Sequence, residues 1–435
     1  MIPGLLRRST IPMLLLVACS GDQPTSPRTP DRAGVQRLGS ADAQSLSTYL
    51  VGAYYFSGWW RDPSTPVLGL GYFPGHYIHN YPRSPVDWRE EYPEREPVTG
   101  WFDDRQEFVD NQIRIAAEGK IDFFAFEYFP EREDAREFPG SRENNNNGLD
   151  FFKTSPYKGL MQFALLYVNS GRFAITERDE WRRYVRKWVR DNFTDPQYLK
   201  IDGKPVFLLI NAPGLIPQWG SESNVKERLQ ELRNETLKAG FPGVLIGGGI
   251  TRASPAAIEK VSDQGFDFLT SFNAGFGDPD PAEGQDACPV LPNGANPYSR
   301  LMHGDEKVGP DYMKCRWNLF TKGPLPYAPV VVQGWDRRPV GKAGGDCAPN
   351  APPDPREACE PYLVEKTTDL FKEQLGLAKD FVHEQATRFS DSFAARHGMV
   401  LIYAWNEIGE GGHLIPNQAE GEKSEYLNTI GEVFH

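Results

Sequence analysis

Eight short apolar runs recur along this chain, and stretches with helical periodicity separate most of them. The runs are Val51–Phe56, Ile121–Glu127, Phe163–Val168, Pro205–Ile210, Val244–Ile250, Phe266–Phe272, Pro329–Val332 and Met399–Ala404. Runs that stay apolar without alternating, bounded by Gly and Pro, predict strands covered on both faces, as in a parallel sheet. The intervening segments predict helices. Val109, Ile113, Ala116 and Ala117 share one face ahead of the second run, with Gly119 placed to stop the turn. Trp181, Tyr184, Val185, Trp188 and Val189 line another, with Thr176 placed to cap it. Val225, Leu229, Leu232 and Thr236 line a third, which Gly240 ends. Ser254-Pro255 opens a fourth with a cap residue and a Pro at the first helical position. A long helical pattern from about Tyr362 to Ala395 precedes the last run.

Eight strands alternating with helices fit either a closed barrel or a doubly wound sheet. The count of eight, with no Gly-rich phosphate loop after the first strand, favours the α/β class as a (β/α)8 TIM barrel with long βα loops. Residues 57–103, 129–160 and 273–327 each follow the carboxyl end of a strand, where barrels build their sites. One catalytic domain is expected over residues 46–435.

Ahead of it, Arg7 and Arg8 precede the apolar run Ile11–Ala18, far too short to span a bilayer. Leu16-Val17-Ala18-Cys19 resembles a bacterial lipobox, which implies a signal peptide over 1–18 and lipidation of Cys19. Ser20, following the Cys where Asp is absent, implies outer-membrane sorting in that pattern. Residues 19–45 are polar and Pro-rich and read as a flexible tether. The expectation is an exported, lipid-anchored monomer that meets the membrane only through its amino-terminal lipid. The full chain carries a net charge of −12, and residues 1–18 hold two Arg and no acid, so the mature part is more acidic still. With no basic run, nucleic acid is an unfavourable partner. Cys288, Cys315, Cys347 and Cys359 remain, an even number that suggests two disulfides. Three pairings are open; Cys288–Cys315 with Cys347–Cys359 closes the shortest loops and is preferred on that ground.

In a barrel, polar residues at strand carboxyl ends project into the mouth. The eighth run leads into Trp405-Asn406-Glu407-Ile408-Gly409-Glu410-Gly411-Gly412-His413. Two nearby carboxyls push each other's pKa values apart, so that one can hold a proton while the other stays ionised. Glycosidic cleavage needs that division of labour. Glu127, Asn169 and Asn211 end the second, third and fourth strands and offer hydrogen bonds to sugar hydroxyls. A rim salt bridge for Glu127 and loop capping for the two Asn are the alternatives. Trp335 and Trp405 offer rings for a sugar face, with core packing as the alternative, and Asp336 offers a hydroxyl acceptor. His76 and His79 are spaced like metal ligands, but no third ligand accompanies them, and neither metal nor cofactor is expected. The absence of a Gly-x-Ser-x-Gly elbow argues against an esterase.

The segment 405–416, WNEIGEGGHLIP, resembles the Asn-Glu-Trp-x-Glu-Gly motif of glycoside hydrolase family 99 and its WbsX-like relatives. Gln333-Gly334-Trp335-Asp336-Arg337-Arg338 is similar to their Gly-Trp-Asp-Asn segment, and Tyr54-Tyr55 and the strand order fit as well. The resemblance implies a (β/α)8 barrel that cleaves α-linked glycans with retention and without a metal. Carried over, Glu407 would deprotonate the sugar 2-hydroxyl and Glu410 would be the general acid/base. Tyr54, Tyr55, Asn406 and His413 would join the other mouth residues around an oligo- or polysaccharide. Ile408 stands where that family usually has Trp, and Ile415 where Glu is common. A non-catalytic glycan-binding surface lipoprotein is the alternative from another class. A glycosyltransferase role, once implied by the WbsX-like label, lacks a nucleotide-phosphate loop.

Overall fold

The computed structural model describes residues 48–59, 92–130, 146–252, 254–273, 285–306, 312–338, 361–421 and 424–435, with positions 46, 61–62, 69–70, 89 and 275–276. The lipobox, Cys19, the tether, His76, His79, Cys347 and Cys359 lie outside these residues. Two units divide the chain, one over Met1–Ala43 and one over Gln44–His435; all that follows concerns the second.

The eight apolar runs form eight parallel strands. They are β1 (Thr48–Tyr55), β2 (Phe123–Tyr128), β3 (Gln162–Tyr167) and β4 (Lys204–Leu209), then β5 (Leu245–Gly249), β6 (Phe268–Thr270), β7 (Val330–Val332) and β8 (His397–Tyr403). Hydrogen bonding runs β7-β8-β1-β2-β3-β4-β5-β6. Leu269 of β6 then bonds to the segment entering β7, its N–H to Pro326 O at 2.9 Å and its carbonyl from Ala328 N–H at 2.8 Å. That contact brings the circle nearly to closure, giving the expected (β/α)8 barrel. Every residue of β2 is buried, since the barrel interior covers one face and helices the other.

Among the described residues the longer helices are α1 (Gln106–Glu118), α2 (Asn147–Thr154), α3 (Arg178–Trp188) and α4 (Glu222–Lys238), then α5 (Pro255–Ser262), α6 (Tyr312–Phe320), α7 (Thr368–Arg388) and α8 (Glu425–Phe434). Ser254 caps α5 through Ala257 N–H at 3.4 Å, with Pro255 at the first helical position as expected. Gly240 adopts φ 91° just after α4. Gly119 ends α1 as expected, although it keeps φ −75° and the left-handed residue is Lys120. Two local expectations are corrected. Glu177, not Thr176, precedes α3, and no side chain caps it. The long pattern from Tyr362 is split: Pro361–Val364 pairs in parallel with Gly294–Pro297, and helix begins only at Thr368.

The barrel is held at β7, which has only three residues, by α7. Gln374 Oε1 accepts from Val332 N–H at 2.6 Å. Gln385 takes both the N–H and the C=O of Tyr327, at 2.6 and 2.5 Å. Two buried amide side chains thus replace the backbone partners that a three-residue strand cannot supply. In the insertion after β6, Cys288 and Cys315 form a disulfide, the expected short loop. Beside it Arg316, 1% exposed, ion-pairs with Asp286 at 2.7 Å.

Candidate active site

After Tyr403 the chain leaves β8 and doubles back. Leu414 N–H returns to Ala404 O, Ile415 N–H to Trp405 O, and Gly412 N–H to Glu407 O. A 3-10 turn over Ile408–Glu410 and a left-handed Gly411, at φ 78°, make the reversal. The loop after β7 is pressed against it. Asp336 N–H donates to Glu410 O at 2.6 Å, and a Cβ on Gly334 would lie 2.3 Å from Gly411 O. A Cβ on Gly411 would in turn meet Asp336 N at 2.6 Å, so both positions need glycine. Arg95, from the insertion after β1, ties the two loops together through Ile408 O at 3.1 Å, Asp336 O at 3.2 Å and the Asp336 carboxylate at 2.5 Å.

This scaffold brings three carboxyl groups together at the mouth. Glu127, near the end of β2, is buried and faces the carboxyl of Glu407 in hydrogen-bond contact. Glu410 stands beside them. Its Oε2 accepts from the Tyr403 hydroxyl at 2.5 Å, and its Oε1 lies 3.2 Å from Arg337 Nε. Burial first, and then the negative charges of Glu127 and Glu410, hold Glu407 well above the usual carboxylate range. Burial pushes Glu127 up to about 8, and the charge of Glu410 adds to the rise. Burial, with Glu410 and Glu407 nearby, likewise raises the Tyr403 phenol.

Tyr54 lies deeper inside the barrel, where its hydroxyl donates to Ser271 O at 2.6 Å. The Phe272 ring bridges Tyr54 and Tyr403, at 5.3 and 5.1 Å between centroids. Trp335 packs on Tyr403 at 5.5 Å, and its indole N–H is buried without a protein acceptor. Glu127, Glu407, Glu410, Trp335 and Tyr54 are therefore gathered in one place.

The other expected binding residues are spent elsewhere. Tyr55 turns outward against Phe124 and Phe126, under α2. Trp405 is fully buried behind the wall, its indole N–H donating to Gln112 Oε1 of α1 at 2.9 Å. The core role prevails for that ring. Asn406 gives its whole amide to the backbone of Phe56, accepting from N–H and donating to C=O at 2.7 Å each. Asn169 does the same with the backbone of Asn211, at 2.9 and 2.6 Å, and Asn211 Oδ1 caps the turn at Gly214 N–H. Asp336 accepts four hydrogen bonds, one from Arg95 and three from Arg338, which fills its acceptor sites. His413 is held below the usual imidazole range by burial and by the charges of Lys366 and Arg95. Its backbone N–H donates to Gln333. Ile408 packs with Phe56, Trp59 and Tyr92, so a side chain at that position meets the β1 insertion.

Three participants were not anticipated. Arg337 stands inside the 333–338 segment and Tyr403 just before the 405–416 segment, and their proximity to the acids was the available signal. Nothing in the sequence marks Arg95.

No curated protein matches this chain. Among solved structures, the GH99 endo-alpha-mannosidase from Bacteroides thetaiotaomicron is similar at TM-score 0.52 and 12% identity, over 88% of this chain and 97% of that one. The same enzyme in complex with bis-tris-propane gives 0.52 and 10%, over 88% and 95%. At that identity the likeness speaks for the barrel alone. The family model described as "Glycosyltransferase WbsX" matches residues 174–430, which takes in both loops that carry Trp335, Arg337, Glu407 and Glu410. A match over more than half of the chain, through the segments that build the mouth, makes this protein a member of the WbsX family.

Proposed function

We propose that the protein is a retaining glycoside hydrolase that cuts α-linked glycans internally, with Glu407 as base and Glu410 as general acid/base. The observation that carries this reading is the convergence of Glu407 and Glu410 on one buried cluster, with Tyr403 and Arg337 aimed at Glu410. Similarity to an endo-alpha-mannosidase fold supports it.

Glu407 has raised proton affinity, which suits a base that must take a hydroxyl proton. As it removes the proton from the sugar 2-hydroxyl, O2 attacks C1 and the C1–O bond to the leaving sugar breaks. Glu410 gives its proton to that departing oxygen. Tyr403 and Arg337 stabilise the carboxylate that this leaves on Glu410, an interaction that strengthens as the reaction proceeds. Water then opens the anhydro-sugar at C1, with Glu410 taking the water proton and Glu407 returning its own to O2. On the same reading Cys19 carries the lipid that holds the enzyme at the outer membrane, facing polysaccharide.

The family's description favours a second reading, transfer of the sugar to an acceptor hydroxyl in place of water. One panel separates the two. The mature chain is incubated with α-mannans, α-glucans and bacterial polysaccharides, with and without acceptor sugars, beside Glu410→Gln. New reducing ends that vanish in the variant are expected. Products lengthened only when acceptor is present would replace hydrolysis by transfer. Tight binding without turnover would make the protein a glycan-binding barrel.

A further inference from the structure

Among the described residues, four large apolar side chains are exposed: Tyr157, Leu160, Leu237 and Val290. Val290 belongs to the insertion at the mouth, but the other three share the opposite end of the barrel. Tyr157 and Leu160 stand in the turn that enters β3, and Leu237 in the last turn of α4, which leads into β5. Contacts join them across the hairpin that opens β4. Lys158 Nζ lies 3.7 Å from the Asp195 carboxylate. Lys200 Nζ donates to Asp195 O at 2.8 Å and sits 6.0 Å from the Phe241 ring, just past Leu237. Exposed Pro156 and Pro242 extend the apolar strip. Its charge runs against that of the chain, which is −12 overall. Asp195 is matched by Lys158, Asp202 by Arg396 and Glu235 by Lys238, which leaves Lys200 and Lys204 without a carboxylate partner. Exposed apolar side chains beside surplus ammonium groups suit a phospholipid surface, where the first enter the interface and the second meet phosphate.

The chain also enters the barrel here. Thr48 Oγ1, at the start of β1, is 2.9 Å from His397 Nδ1. His397 Nε2 in turn lies 3.7 Å from Asp202, in the hairpin turn between Lys200 and Lys204. A lipid at Cys19 therefore tethers the barrel by this end, and tethering gives even a small strip a high effective concentration at the bilayer. We infer that the amino-terminal end of the barrel rests on an anionic phospholipid surface through Tyr157, Leu160, Leu237, Lys200 and Lys204, with the mouth turned away toward the glycan. The choice of a bilayer over a protein partner rests on the proposed lipid at Cys19.

The test replaces that lipid by a polyhistidine tag on the whole mature chain, bound to nickel-chelating vesicles, and follows amide exchange. In phosphatidylglycerol vesicles, segments 157–160 and 237–243 should gain protection that segment 288–292 does not. The protection should be lost in phosphatidylcholine vesicles, in high salt, and in Leu160→Glu with Lys204→Glu at an unchanged urea midpoint. Leu160→Ser, which adds no charge, should lose part of it. Equal protection at both ends, none at either, or protection indifferent to these variants would overturn the inference. Protection that instead appears in solution as protein concentration rises, and not on vesicles, would give the face to a second copy of the chain and overturn it too. The lipid is read separately, from the mass of the amino-terminal peptide of protein extracted from membranes. Its absence would refute the reading of Cys19 and leave the vesicle result to decide the face.

Discussion

Asn406 sits immediately before a glutamate of the site, yet its side chain serves the backbone of Phe56 rather than a ligand. Asn406→Ala leaves a buried N–H and C=O unpaired and is expected to cost roughly 2–4 kcal/mol, read as a lower urea midpoint at unchanged slope. A loss under about 0.5 kcal/mol would mean that these groups find other partners. The residue types at the mouth were legible from sequence; the direction of each side chain was not. A strand covered on both faces stays apolar at every position, so nothing in Met399–Ala404 reveals that Tyr403 faces the carboxylates while Trp405 faces α1. Asp336 was misread for another reason. One of its partners, Arg95, lies 241 residues away, beyond the reach of any local pattern.

At the level of elements, features set by neighbours in sequence were readable and those set by distant partners were not. The Ser254-Pro255 start of α5 is local chemistry. The late start of α7 is not, because Pro361–Val364 is claimed by pairing with Gly294–Pro297. The eight strands emerged because their apolar runs are continuous, even for β6 and β7 at three residues each. The sequence gives no sign, however, that Gln374 and Gln385 hold the β7 side of the barrel. Gln385→Ala strips both hydrogen bonds from Tyr327 and is expected to destabilise the chain by roughly 2–4 kcal/mol. Exchange at the Leu269 and Ala328 amides should accelerate more than at β1 or β2. Uniform acceleration would mean that the seam has no separate weakness.

For the whole molecule, buried carboxyls set the pH response on the alkaline side. Glu127 binds its proton more tightly in the folded chain, with a pKa of about 8, than it would unfolded. Stability from that source is complete below the ordinary carboxylate range and is lost as pH rises toward and through about 8. Glu407 acts in the same sense. His413, held low, has the opposite sign: its contribution is present above the usual imidazole value and lost as pH falls. Between about pH 7 and 8.5 the carboxyls therefore dominate. The urea midpoint should fall across that window in wild type and stay flatter in Glu127→Gln; equal slopes would contradict the assignment.

Gly334 and Gly411 touch backbone to backbone, with no room for a side chain on either. The two loops that display the acids, the arginine and the tryptophan are consequently one clasp, though they are far apart along the chain. Anyone moving this site onto a different barrel would have to transplant both loops together, with Arg95 as the rivet. A graft of the glutamate loop alone would carry the reagents without the frame that points them at one another.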